Sequence, residues 1–158
     1  MTQAERQALP KLVIRKVIRA KREKVFEAWT KPELLEQWLV PPEDWTARSR
    51  TDFRVGGKYE QEMIVGGSES TCHAGGYKAG ESLMHSGEYL EIKPPEKLVF
   101  TWNSPAVQNT RVTIELIDLG DSTEIWLTHE LLPTEAQRES HSGGWNGALA
   151  KLERLLTQ

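Results

Sequence analysis

The chain has 158 residues, 38% of them hydrophobic and 27% charged, with a formal net charge of −3. That length and balance fit one globular domain and exclude wholesale disorder; the near-neutral charge excludes a protein held to nucleic acid by a global basic field. The single Cys72 excludes a disulfide framework or a four-thiolate zinc site, and six tryptophans against three phenylalanines and three tyrosines leave a surplus of a side chain whose N–H wants a partner when buried.

Residues 1–10 are polar, lack the apolar run of a secretory signal and read as a flexible tail. No apolar stretch is long enough to span a bilayer, and one cysteine suits a reducing compartment, so a cytoplasmic location is expected. Residues 12–18 are rich in β-branched side chains and predict a strand. The basic residues between Lys11 and Lys24 alternate with Leu12, Ile14 and Ile18 and have no interleaved aromatics. They read as the solvent face of a strand entering a helix rather than a site for an anionic partner.

Val25, Phe26 and Trp29 have helical spacing, and a second short helix over 32–39 places Leu34, Leu35 and Trp38 on one face. Thr30 and Glu33 have the spacing of a capping box with Pro32 in the first turn, and Pro41-Pro42 ends the helix. The period then becomes two. Trp45, Ala47, Ser49, Thr51, Phe53 and Val55 alternate with charged or polar neighbours, which predicts a half-buried strand over 45–55. Gly56-Gly57 predicts a turn or bulge. Residues 58–65 predict a strand with Tyr59, Gln61 and Met63 on one face.

Residues 66–82 are rich in glycine and polar residues and read as a long mobile loop. Strands follow over 83–92 and 97–103, separated by the Pro94-Pro95 turn. A hairpin follows, 110–119 and 122–131, turning at Gly120-Asp121. Thr134 and Gln137 predict a second capping box at the start of a C-terminal helix, in one or two pieces, with His141, Trp145, Ala148, Leu149, Leu152, Leu155 and Leu156 on one stripe. The order is β-α-α-β-β-β-β-β-β-α. The sheet needs a cover on one face, and this helix is the long amphipathic element available. Gly143, Gly144 and Gly147 subtract side-chain volume beside Trp145, so a cavity is expected at the helix's N-terminal half; the alternative is close helix–sheet contact.

Trp38, Trp45, Phe53, Tyr59, Met63, Tyr89, Phe100, Trp102 and Trp145 fall on predicted inward faces, together with the polar Gln61. With His85, His129 and His141 they form the candidate ligand-binding set, an apolar pocket with a few placed polar groups. The alternative is ordinary core. His129 is in phase with Ile125 and Leu127, and could be a general base, a polar anchor or a core histidine with a partner. The three histidines lack the spacing of a metal site, and no phosphate or dinucleotide motif appears, so no metal and no cofactor are expected. Cys72-His73 is read as an incidental pair in a loop. Trp126 is out of phase and expected outside, stacked on an arginine or meeting a partner chain.

The stretches VFEAWTKPELLEQW at 25–38, DFRVGGKY at 52–59, GEYLEIKPPEKLVFTW at 87–102, THE at 128–130 and GWNGAL at 144–149 together resemble the START-like (SRPBCC) superfamily. Within it they resemble the branch named for the activator of heat-shock protein 90 ATPase. The resemblance covers nearly all of the chain after residue 11, and departs from it at 66–82, where relatives tend to have a shorter turn. It implies an α+β helix-grip fold: a six- to seven-stranded curved antiparallel sheet wrapped around a long C-terminal helix, with two short helices after the first strand. The expected function is binding of a small apolar or aromatic molecule. The alternatives are a chaperone-interacting, stress-response module and a cyclase- or hydratase-type enzyme using His85, His129 or His141. A single domain, monomeric or weakly dimeric, with no nucleic-acid partner, completes the expectation.

Overall fold

A computed structural model describes residues 2–40, 42–67 and 78–158. In chain order the elements are α1 (Gln3–Gln7), β1 (Leu12–Ile18), α2 (Arg22–Thr30), α3 (Pro32–Trp38), β2 (Thr46–Thr51), β3 (Lys58–Ile64), β4 (Ser82–Lys93), β5 (Lys97–Trp102), β6 (Thr110–Asp118), β7 (Thr123–Glu130) and α4 (Glu135–Leu156). The strands form one seven-stranded sheet in the order β1-β7-β6-β5-β4-β3-β2. Every neighbouring pair is antiparallel. This is the expected α+β helix-grip arrangement, with two short helices after β1.

Alternation decides which face is dry. On β7, Thr123, Ile125, Leu127 and His129 are buried, and the residues between them are half exposed. On α4 the buried stripe is Trp145, Ala148, Leu149, Leu152 and Leu156, which closes the core against the sheet. The outer face carries Trp126, with the Arg15 guanidinium 4.1 Å from its ring centre and its indole N–H donating to Glu124 at 2.6 Å. The stacking expected of Trp126 from its phase is what the fold contains.

Four local expectations are corrected. The strand expected to run to Val55 stops at Thr51. The segment after it turns back, with Arg54 N donating to the Asp52 carbonyl at 2.9 Å, Gly57 N to the Arg54 carbonyl at 2.8 Å, and Gly56 at φ 84. The turn pairs with β4 through Gly56 N to the Tyr89 carbonyl at 2.8 Å. Phase is therefore lost, and Phe53 is 38% exposed, its ring against Phe26 and Tyr89.

Thr30 does not cap α3. Its hydroxyl turns back onto the Phe26 carbonyl at 3.0 Å, and Lys31 takes the cap position without a side-chain bond. Residues 3–7, inside the expected tail, are helical, closed by a Thr2–Glu5 capping box. At α4, Thr134 accepts from Gln137 N at 3.2 Å, but the Gln137 side chain donates to the Ala106 carbonyl at 3.1 Å instead of completing the box. That bond ties the start of α4 to the β5–β6 loop. α4 itself is one uninterrupted helix.

The expected loop over 66–82 has its base described: Val65 N donates to the Glu81 carbonyl at 2.9 Å and Gly80 N to the Val65 carbonyl at 2.8 Å. Cys72 and His73 lie outside the described residues.

The turn after β2 yields a test. A Cβ on Gly57 would overlap the Asp52 and Arg54 carbonyl oxygens, which are backbone and cannot swing away. Gly57→Ala is expected to cost roughly 1–2 kcal/mol, read as a lower urea midpoint at unchanged m-value. A midpoint equal to wild type would show that the turn rearranges freely.

Candidate ligand cavity

Between α4 and the sheet lies a cavity of about 70 Å³. Its floor is buried: Leu39 after α3, Met63 of β3, His85 of β4, Trp102 of β5, and Trp145 and Ala148 of α4. Ser104 and Ala106 of the β5–β6 loop, and Ser140, His141 and Gly144 of α4, complete its lining. A smaller cavity of about 20 Å³ adjoins it, sharing Leu39, Trp102 and Trp145 and lined further by Tyr59, Gln61, Tyr89 and Phe100. The position is the N-terminal half of α4. Of the three glycines expected to empty this region only Gly144 lines the cavity, and a Cβ there would meet nothing within 4 Å; Gly143 is exposed, and neither it nor Gly147 lines either cavity.

Of the thirteen residues singled out by phase, Met63, His85, Trp102, His141 and Trp145 line the larger cavity, and Tyr59, Gln61, Tyr89 and Phe100 the smaller. Trp38, Trp45, Phe53 and His129 line neither. Trp38 is fully buried beneath α2, donating to the Ala28 carbonyl at 2.9 Å. Phe53 is lost to the turn described above. Leu39, Ser104, Ala106 and Ser140 lie on the wall without having been anticipated. Three of them sit at helix ends or in an irregular loop, where no period points to a face. Ala148 was legible as part of the α4 stripe.

His129 holds the wall in place rather than forming it. The indole N–H of Trp145 donates to His129 Nδ1 at 3.1 Å. On the other side, His129 Nε2 lies 2.9 Å from Thr110 Oγ1, whose own proton goes to the Trp102 carbonyl at 2.7 Å. With that hydroxyl proton spent, Thr110 must accept, so His129 carries its proton on Nε2 and offers its lone pair on Nδ1. The chain Trp145–His129–Thr110–Trp102 is satisfied at every link and fastens the Trp145 indole and the Trp102 main chain, the two tryptophans that line both cavities. Burial pushes the His129 pKa down from 6.5 to about 3, and the neighbouring His141 ring, 5.0 Å away, acts in the same direction. With both nitrogens committed, His129 is a positioning residue and not a free base.

His141 is the opposite case. Its Nδ1 sits 2.7 Å from the Gln137 carbonyl one turn earlier and must donate to it. Nε2 is left as an acceptor on the cavity lining. Burial lowers its pKa, partly offset by the bond to Gln137. Ser104 Oγ accepts from Ala106 N at 3.1 Å and Val107 N at 3.2 Å, leaving its own proton to give. In the smaller cavity Tyr59 donates to the Thr101 carbonyl at 2.5 Å. Both phenols there stay protonated, Tyr59 raised by burial and by Tyr89, and Tyr89 pushed up to about 12 by burial. Among the described residues no Lys, Arg, Asp or Glu lines either cavity. Among the described residues no three His, Cys, Asp or Glu are grouped to hold a metal, and no helix is long and apolar enough to cross a membrane.

A seven-stranded antiparallel sheet closed by a long C-terminal helix over an aromatic-walled cavity defines a helix-grip protein of the START-like (SRPBCC) class. A family model described as activator of Hsp90 ATPase homolog 1-like protein matches residues 19–157, and the chain belongs to that family. Among solved structures it is similar to a protein from Chromobacterium violaceum at 25% identity and TM-score 0.77, the match covering 95% of this chain and 99% of that one. A protein from Nitrosomonas europaea is similar at 26% identity and TM-score 0.74, with 94% of each chain covered. An AHSA1-like protein from Aeromonas hydrophila shares the fold at 23% identity and TM-score 0.72, over 92% of this chain and 90% of that one. No curated protein matches.

Proposed function

We propose that the protein binds a small apolar or aromatic molecule in the cavity between the sheet and α4. The observation that carries this is the cavity itself: indole and thioether surface on the floor, two histidines and two serines around it, and a rim made half-exposed at His141 and Gly144. An enclosed apolar cavity of about 150 Å³ accepts benzene. A volume near 70 Å³ therefore encloses part of a ring and leaves the rest at the rim. That favours a compact ligand over a sterol-sized one. The family name alone does not carry a chaperone role to this chain, since fold is a weak guide to function.

Titrating small aromatic probes should quench or shift tryptophan emission, because Trp102 and Trp145 are walls of the site. Gly144→Leu fills the space beside them, and is expected to weaken binding more than tenfold. It should not cost stability, since leucine is favoured over glycine in a helix interior by roughly 0.5–1 kcal/mol. Gly143→Ala should bring a similar helix gain and leave binding unchanged. Silence across the probe set, or equal binding by wild type and Gly144→Leu, would sink the proposal. Native mass spectrometry of freshly purified protein supplies the complementary readout, a co-purified small molecule.

A further inference from the structure

The polar groups around the larger cavity are unequal, and the inequality specifies the ligand. Three of them have unused hydrogen-bonding capacity. His141 Nε2 has no partner among the described residues and can only accept, because Nδ1 carries the ring proton for the Gln137 carbonyl. Ser104 Oγ has taken two backbone N–H groups and still has a proton to donate. Trp102 Nε1 is buried and donates to nothing among the described residues. Among the described residues the lining thus offers one open acceptor and two open donors at these three groups, beside His85 and Ser140, in an aromatic frame without a Lys, Arg, Asp or Glu.

From this arrangement, and resting on the cavity being a ligand site as proposed above, we propose that the ligand is a neutral aromatic hydroxyl compound. Its O–H donates to His141 Nε2, and its oxygen accepts from Ser104 Oγ–H or Trp102 Nε1–H. A hydroxyl is the smallest group that both gives and takes a hydrogen bond. A carboxylate fails on two counts. It has no proton to give His141, and it would be desolvated with no cation among the described lining residues to offset the loss. An ether or a bare hydrocarbon fills the same space and displaces water from the half-exposed His141 lone pair without replacing its hydrogen bond, which is penalised.

The physical reason for the fixed polarity lies in α4. His141 is one helical turn after Gln137, and its ring stands edge-on to His129 at 5.0 Å and 85°. A ring flip would point the donor nitrogen away from the Gln137 carbonyl and is opposed by that bond. Desolvation keeps the ring neutral near pH 7, so it does not become a second donor.

The test uses the full chain and four probes of similar size: phenol, anisole, toluene and benzoate. Binding is followed by tryptophan emission and calorimetry. The expected order is phenol tightest, by about tenfold over anisole and toluene, the worth of one net hydrogen bond, with benzoate weakest. In His141→Phe the preference for phenol should shrink to within about twofold while toluene still binds. The nitrogen resonance of His141 Nε2 should move with phenol and stay put with toluene. Anisole binding as tightly as phenol, benzoate binding best, or a phenol preference that survives His141→Phe would overturn the assignment and leave the cavity as an apolar site. No binding by any probe would overturn both this and the proposal on which it rests.

Discussion

Taking the protein from pH 7 to pH 5 is expected to cost about 2 kcal/mol of stability through His129 alone. The unfolded chain holds this histidine near its ordinary pKa of 6.5, and the native fold holds it at about 3. Between those values the unfolded state binds a proton that the native state refuses. Stability therefore rises with pH across that window and is lost as pH falls from 6.5, at about 1.4 kcal/mol per unit. The full contribution is present above pH 6.5. His141, also lowered, acts with the same sign. The carboxylates Glu91, Glu124 and Glu130 are lowered from about 4.5, so their losses set in mainly below the pH 7 to 5 range of the measurement. Urea unfolding at pH 7, 6 and 5 measures the slope. In His129→Gln the amide oxygen can accept from Trp145 and the amide nitrogen can donate to Thr110. That variant should be less stable overall but lose about 2 kcal/mol less than wild type over the same range. A slope unchanged by the substitution would mean that His129 is charged or solvated in the native state.

The same residue shows how far the sequence could be read. Strand phase put His129 on the dry face, and β7 is regular enough for phase to hold over its whole length. Phase could not say which of three roles the ring plays. That depends on Thr110, one strand away, and Trp145, on another element, and on how the hydroxyl proton of Thr110 is spent. The order of elements was legible from periodicity, and the place of the cavity from the apolar stripe of α4 and Gly144, whereas Gly143 and Gly147 line neither cavity. Phe53 was misplaced for a local reason. The alternation continues in the letters through Val55, whereas the chain turns at Asp52 because hydrogen bonds to Lys58 and Tyr89 close a loop that no period encodes. Leu39 and Ser104 reach the cavity from the end of a helix and from a loop, where side-chain direction follows from packing rather than from spacing.

Trp38→Ala is expected to cost about 3–5 kcal/mol of stability. The side chain is fully buried, its ring centre lies 4.6 Å from that of Trp29, and its indole N–H reaches the Ala28 carbonyl at 2.9 Å. Ala28 is in the last turn of α2, where carbonyls have no partner within the helix. Trp38 thus does for α2 what a capping residue would do, from the far end of α3. Trp38→Phe retains most of the packing and orphans that carbonyl, for an expected cost of about 1–3 kcal/mol. A domain of this kind has roughly 5–15 kcal/mol in all, so the Phe variant stays measurable if the Ala variant does not fold. Urea unfolding followed by far-UV circular dichroism gives both numbers. The comparison also separates core from site among the tryptophans. Trp29 stands between Trp38 and Trp145, whose ring centre is 6.0 Å beyond it, and Trp38 lines neither cavity. Phenol and toluene affinities should therefore stay within about twofold in folded Trp38→Phe. Trp145→Phe removes the donor to His129 and part of the wall, and should lower both. Loss of probe binding in a Trp38→Phe protein that is otherwise native would place Trp38 in the site and move the cavity's working boundary toward α2.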